Sequence, residues 1–205
     1  RDPAGSYYAD LTFLKADDTR RLMGLSPHHD PASSSVYQAV TEPYRRCASA
    51  DAVQQAEYAD LKLYMPNDPL VKVDRMSMAH SLEVRCPLLD HRVVELAFRI
   101  PASRKQQWRQ GKTFLQQLAR QRLPGALWTL PKKGFSIPIG SWIGGPFAGR
   151  FRDEVLSTGA AIGAHLDTRH LGTLLDAQQR GERDHGYALW AAWVLERWLR
   201  GQSAG

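Results

Sequence analysis

Cysteine is scarce: Cys47 and Cys86 are the only two in 205 residues. Two thiols so far apart make neither a disulfide framework nor a CxxC metal knuckle, and this usage predicts a reducing, cytoplasmic setting. No apolar run approaches the ~18 residues a membrane span needs, and no charged-then-apolar leader opens the chain. The seven histidines show no H-x-x-x-H with a third ligand, so no metal site is expected. Internal repeats and low-complexity segments are missing, and little reads as strand. Methionine does not begin the chain: Arg1-Asp2-Pro3-Ala4-Gly5-Ser6 reads as a linker, as expected of a fragment or a processed chain.

What is present is a core-forming composition, 43% hydrophobic, with a formal charge of +6. A positive balance suits an anionic partner such as a nucleotide phosphate, an acidic substrate or nucleic acid. The 27 Lys and Arg residues are spread along the chain instead of clustering, which argues against a nucleic-acid binder. Residues 1–36 read as a linker with short helices, 37–200 as one mainly α-helical region, and 201–205 as a disordered tail.

Apolar positions at helical spacing predict helices within 37–64 and over 70–82, with a turn at Pro66–Pro69 between them. Asp90 is placed to cap a helix from His91 to about Phe98, buried through Val93, Val94, Leu96 and Ala97. Another helix over 112–122 carries a stripe of Phe114, Leu115, Leu118 and Ala119. Nine Pro and Gly residues punctuate 123–147, so regular helix is not expected to persist there, and long ordered loops are often functional. The last helix presents Tyr187, Trp190, Ala191, Val194, Leu195 and Trp198 as a wide apolar face, read as core, with Asp184 as its cap.

Two segments can carry chemistry. The first runs from Tyr64 to His91 and contains VDRMSMAHSLEVRCPLLDH. Lys72 and Arg75, at i and i+3, share a helix face and can present positive charge to one anion, with Asp74 between them to orient either. Glu83 and Arg85 flank a Pro-terminated turn where a bidentate pair can form. The competing reading is a buried ion-pair network fixing the junction. The second is Leu130-Pro131-Lys132-Lys133-Gly134-Phe135-Ser136-Ile137-Pro138. A loop-held lysine can neutralise a phosphoryl group or pyrophosphate, although one lysine of an adjacent pair is commonly a solvated surface charge.

These strings, together with Asp184-His-Gly-Tyr-Ala-Leu-Trp190, resemble the C-terminal part of the synthetase domain of glutamine-hydrolysing asparagine synthetases, over about residues 40–200. The resemblance implies a mainly α fragment: the C-terminal helical portion of an α/β adenine-nucleotide α-hydrolase-like (PP-loop ATPase) synthetase domain. It implies ATP- and Mg²⁺-dependent adenylation of a carboxylate, typically that of aspartate, followed by amide formation with ammonia released from glutamine. Lys132 matches the family's catalytic lysine, with Lys133 as the fallback if the register slips by one. Glu83, Arg85 and Asp90 match its E-x-R-x-P-x-L-D segment, and Lys72, Asp74 and Arg75 its positively charged helix, all as substrate- or phosphate-supporting residues. The pyrophosphate loop S-G-G-x-D-S, a later S-G-x-G-x-D-E and an N-terminal Cys-Gly are not in this sequence. The implied partners are therefore the PP-loop and glutaminase regions, with aspartate or an analogue and glutamine as small-molecule substrates. The fragment alone is expected to hold no cofactor and to be inactive, and a homodimer is left open. Alternatives are a related ligase acting on a peptide, a β-lactam precursor or a polysaccharide-linked substrate, and a non-catalytic helical binding subunit.

Overall fold

Helices dominate the chain, seen in a computed structural model that describes residues 2–26, 28, 30–107, 110–128 and 137–203. In chain order these are α1 (Pro3–Leu11), α2 (Ala16–Leu22), α3 (Ser35–Arg46), α4 (Ala52–Ala59), α5 (Met65–Asn67), α6 (Pro69–Met78), α7 (His91–Arg99), α8 (Ala102–Lys105), α9 (Thr113–Arg120), α10 (Ile139–Gly144), α11 (Ala148–Val155), α12 (Thr168–Gln179) and α13 (Gly186–Ser203). The sheet among the described residues is one antiparallel ladder of β1 (Gln106–Gln107) and β2 (Gln110–Gly111). The mainly helical reading of the sequence holds. Among the described residues, no helix is long and apolar enough to cross a membrane.

Two units make up the chain, one of residues 1–8 and 35–132, the other of 9–34 and 133–205. The first has a small core of Ala4, Tyr44 and Ala59, with Tyr7 and Ala56 packed against it. Tyr7 and Tyr44 meet at 5.4 Å, and the Tyr7 hydroxyl donates to Asp60 Oδ1 at 2.8 Å. Burial and that carboxylate both push the Tyr7 phenol well above its ordinary range. Asp51 opens α4 by accepting from the backbone N–H groups of Val53 and Gln54, and Gln54 Nε2 donates to Phe98 O at 3.0 Å. The expected turn at Pro66–Pro69 reduces to a break at Asp68, because proline is tolerated in the first turn of a helix.

The faces of α7 and α9 depart from expectation. Val93 and Leu96 on α7, and Phe114, Leu115 and Leu118 on α9, are exposed. The described core of this unit is built by α1, α3 and α4, and these side chains of α7 and α9 do not belong to it.

The second unit has the larger core: Ile139 and Ile143 of α10, Phe151 and Val155 of α11, Leu171, Leu174 and Leu175 of α12, and Leu189, Ala192 and Trp193 of α13, joined by Leu22 and Ile162. Helix α10 forms inside the Pro- and Gly-rich stretch where none is expected, because Ile139 and Ile143, at i and i+4, are buried against the other helices. Helix α13 also corrects the sequence reading. Its buried face is Ala188, Leu189, Ala192, Trp193 and Glu196, whereas Tyr187, Trp190, Val194 and Trp198 are exposed. The Glu196 carboxylate takes the N–H groups of Ala161 and Ile162 at 3.2 and 2.7 Å and pairs with Arg200, so a charged residue belongs to the inner face. The helix runs to Ser203, past the point where a disordered tail is expected to begin.

Candidate functional site

In the 64–91 segment, α6 carries Lys72, Asp74 and Arg75, all exposed. Lys72 Nζ lies 2.8 Å from Asp68 Oδ1, one turn back, so its partner is Asp68 and not Asp74. That bond holds the ammonium above its ordinary range. After α6 the chain turns through Ser81 in a left-handed conformation (φ 57°) and runs irregularly to the turn at Pro87–Leu89. Arg85 Nε donates to Glu83 Oε1 at 2.9 Å, with the two side chains 84% and 71% exposed. The pair is a single solvated contact instead of a bidentate or buried one, because both side chains stand largely in solvent. Such a pair contributes ~0–1 kcal/mol.

Asp90 caps α7, its Oδ1 accepting the Arg92 N–H at 2.9 Å. The Arg92 guanidinium adds Nε to Oδ1 at 2.9 Å and Nη2 to Oδ2 at 2.8 Å. This arginine holds the Asp90 carboxyl below the usual carboxylate range. Arg92 escaped the sequence reading, although Asp-x-Arg at a helix start is a readable signal. No hydrogen bond or ion pair among the described residues joins the α6 charges, the Glu83–Arg85 pair and the Asp90–Arg92 pair to one another. Around them, Met76, Leu82, Leu88 and Leu96 are 59–65% exposed.

Lys132 and Lys133 lie outside the described residues. What the structure does place is the stretch that follows them. Ile137 and Pro138 lead into α10, whose Gly140 meets the start of α13: a Cβ on Gly186 would lie 2.5 Å from Gly140 Cα, so neither position has room for a side chain. Gln178 of α12 ties the junction, donating to Gly140 O at 3.2 Å and accepting from the His185 N–H at 2.6 Å. Asp184 Oδ1 accepts the Gly186 N–H at 2.9 Å, the cap expected of it. Burial, and then the nearby Arg183 charge, hold the His185 imidazole below its ordinary range. Arg183 pairs with Asp18 at 3.5 Å, which also meets His170 at 3.3 Å.

This junction walls a cavity of about 490 Å³, lined among others by Ile137, Ser141, Gln178, Arg183, Asp184 and Tyr187. Its size and mixed lining suit a small polar ligand, and Arg183 and Asp184 give the wall one charge of each sign. Gln178 and Arg183 were not singled out from the sequence, and Tyr187 was read only as core. Gln178 looks like an ordinary polar helix position, and its role shows only once α10 and α13 meet. Among the described residues no cluster of three His, Cys, Asp or Glu side chains is placed to hold a metal ion.

Comparison with known proteins adds to this geometry. The asparagine synthase family profile matches residues 6–200. The putative asparagine synthetase [glutamine-hydrolyzing] of Mycobacterium tuberculosis is 33% identical over 162 residues, 78% of this chain and 24% of that protein. Asparagine synthetase [glutamine-hydrolyzing] 1 of Bacillus subtilis is 28% identical over 175 residues, 85% of this chain and 27% of that protein. Amidase chry2 of Gibberella zeae is 31% identical over 102 residues, 46% of this chain and 15% of that protein. The chain thus spans about a quarter of the length of the two synthetases. No solved structure matches it significantly.

Proposed function

This chain belongs to the asparagine synthase family, and on that premise we propose that it is the helical C-terminal region of a glutamine-dependent carbon–nitrogen ligase. The full enzyme adenylates a carboxylate, typically that of aspartate, and converts it to the amide with ammonia released from glutamine. The observation that carries this reading is the family match along residues 6–200. In this reading the metal and the nucleotide-binding sheet belong to the PP-loop region that the resemblance implies. The exposed apolar side chains of α6, α7 and the 82–88 segment support a surface on which that region packs. A cytoplasmic location goes with this reading.

ATP, when bound, supplies the adenylyl group. The role proposed for this chain is electrostatic: the Lys132 ammonium stabilises charge that builds on the phosphate and pyrophosphate oxygens. Lys72 and Arg75 on α6 add positive potential, and Glu83, Arg85 and Asp90 frame the approach.

Replacing Lys132 by Ala in the full-length protein is expected to lower ATP–pyrophosphate exchange by roughly 10²–10³-fold, on the scale of losing one charge-stabilising donor, while glutamine hydrolysis persists. If exchange survives in Lys132→Ala but is lost in Lys133→Ala, the role moves by one residue. Survival in both variants overturns the assignment. The similarity to Amidase chry2 favours a second reading, the same chemistry on a different acyl substrate. Exchange that stays independent of added aspartate would select it.

A further inference from the structure

The last helix turns toward solvent the aromatic face that its sequence marks as core. Trp190, Val194 and Trp198 recur every four residues at 40%, 49% and 58% exposure, a stripe about 12 Å long at 1.5 Å per residue. Beside it Phe147, Trp190, Trp193 and Val194, with Arg150 and Arg197, line a cleft of about 210 Å³. The rings stand edge to face: Phe147 and Trp193 at 6.1 Å and 70°, Trp190 and Trp193 at 6.1 Å and 76°. Trp193 Nε1 already donates to Glu154 Oε2 at 2.7 Å, which leaves the floor of the cleft apolar.

Charge at the cleft has one sign in excess. Arg150 and Arg197 lie over the Trp193 ring at 5.9 and 5.8 Å, and both bond Glu154. One carboxylate thus answers two guanidiniums, and with five N–H donors on each, the three they give Glu154 leave capacity for another anion. Exposed Trp beside Arg is the composition of residues that dominate binding energy at interfaces.

We propose that this cleft docks an acidic amphipathic peptide segment of a partner protein. One large apolar side chain enters the cleft walled by Phe147, Trp190 and Trp193, a flanking carboxylate meets the Arg150–Arg197 rim, and a second apolar side chain lies along Val194 and Trp198. The volume is below that of an ordinary small-molecule pocket and suits a single side chain, while the stripe continues past it and calls for an extended ligand. Pairing with a second copy of the same face would set arginine rims of one sign against each other. A bilayer surface does not fill a concave cleft. The inference rests on the second unit's own geometry and is independent of the ligase reading.

Two short tryptophan-free probe peptides test it, each with Leu and Phe four residues apart, one otherwise of Glu and Gln, the other of Lys and Gln. Titrated against the full chain and followed by tryptophan fluorescence and indole NMR shifts, the Glu peptide is expected to bind at least about tenfold more tightly. Trp190→Ala and Val194→Ser should each weaken it about tenfold, and Arg150→Gln should narrow the preference for Glu. If Trp190→Ala loses its circular dichroism signature, Trp198→Ala replaces it. Binding by neither peptide, equal binding of both, or binding unaffected by these exposed substitutions would overturn the proposal. So would attachment to phosphatidylserine vesicles without peptide binding, or concentration-dependent dimerisation abolished by Trp190→Ala.

Discussion

Glu154 and Glu196 show how one side chain type answers two environments in the second unit. The Glu154 carboxyl is held down to about 2, first by the Trp193 indole N–H and then by Arg150 and Arg197. Burial pushes Glu196 up, but the Ile162 N–H, Arg200 and the Ala161 N–H outweigh it and leave the carboxyl below its usual range. The unfolded chain regains an ordinary glutamate, so it takes up a proton first as the pH falls. The stability contributed by Glu154 is therefore full above about pH 5 and lost progressively toward pH 2, on the order of 2 kcal/mol. Urea midpoints measured across that window should fall for the parent and vary less for Glu154→Gln. Glu196→Ala leaves the Ala161 and Ile162 N–H groups without their acceptor and takes the carboxylate from Arg200, which keeps Glu154 O, and should cost about 3 kcal/mol in the same assay at neutral pH. A cost under about 1 kcal/mol would mean that water replaces the carboxylate.

Between helices, the tightest constraint is the approach of α10 to α13. Gly186→Ala forces a methyl against the Gly140 backbone and is expected to destabilise by about 1–3 kcal/mol. Asp184→Ala, which removes only the cap, should cost about 1 kcal/mol. Thermal melts of the two variants rank these effects, and a larger loss for Asp184→Ala would put the cap ahead of the packing. The caps at Asp90 and Asp184 were legible in the sequence because capping depends on residues two or three apart. Contacts between helices were not. Both faces of α13 carry apolar residues, so periodicity alone could not choose between them. The larger aromatics pointed to the wrong face, and Glu196 reads as solvated until the Ala161 and Ile162 N–H groups are seen to meet it. In the first motif the Glu83–Arg85 pairing was legible but other partners were not: Lys72 turned to Asp68, and Asp90 to Arg92, each within one turn of chain.

At the scale of the molecule, charge and core are divided unequally. Residues 1–8 and 35–132 hold 16 Lys and Arg against 10 Asp and Glu, and the remainder holds 11 of each, so the whole excess of +6 lies with the unit that carries the 64–91 motif. Attraction for an anion is concentrated there. The same unit combines its small core with broad apolar exposure on α6, α7 and α9. The chain alone should therefore bind an apolar dye such as anilinonaphthalene sulfonate, and Leu88→Gln with Leu96→Gln should lower the signal while leaving the melting temperature within about a degree or two, as surface changes do. Unchanged dye binding would show that this face is not the exposed apolar surface.

The meeting of Gly140 and Gly186 acts as a rivet. Helices that touch through side chains can creep past each other by rotamer changes, but a backbone-to-backbone joint has no rotamers to spend. A displacement of the Ile137–Ser141 stretch would be expected to carry the 18-residue rod of α13 with it. The edge-to-face pair of Phe147, outside that rod, and Trp193, within it, would serve as an optical gauge of events at the far side of the rivet.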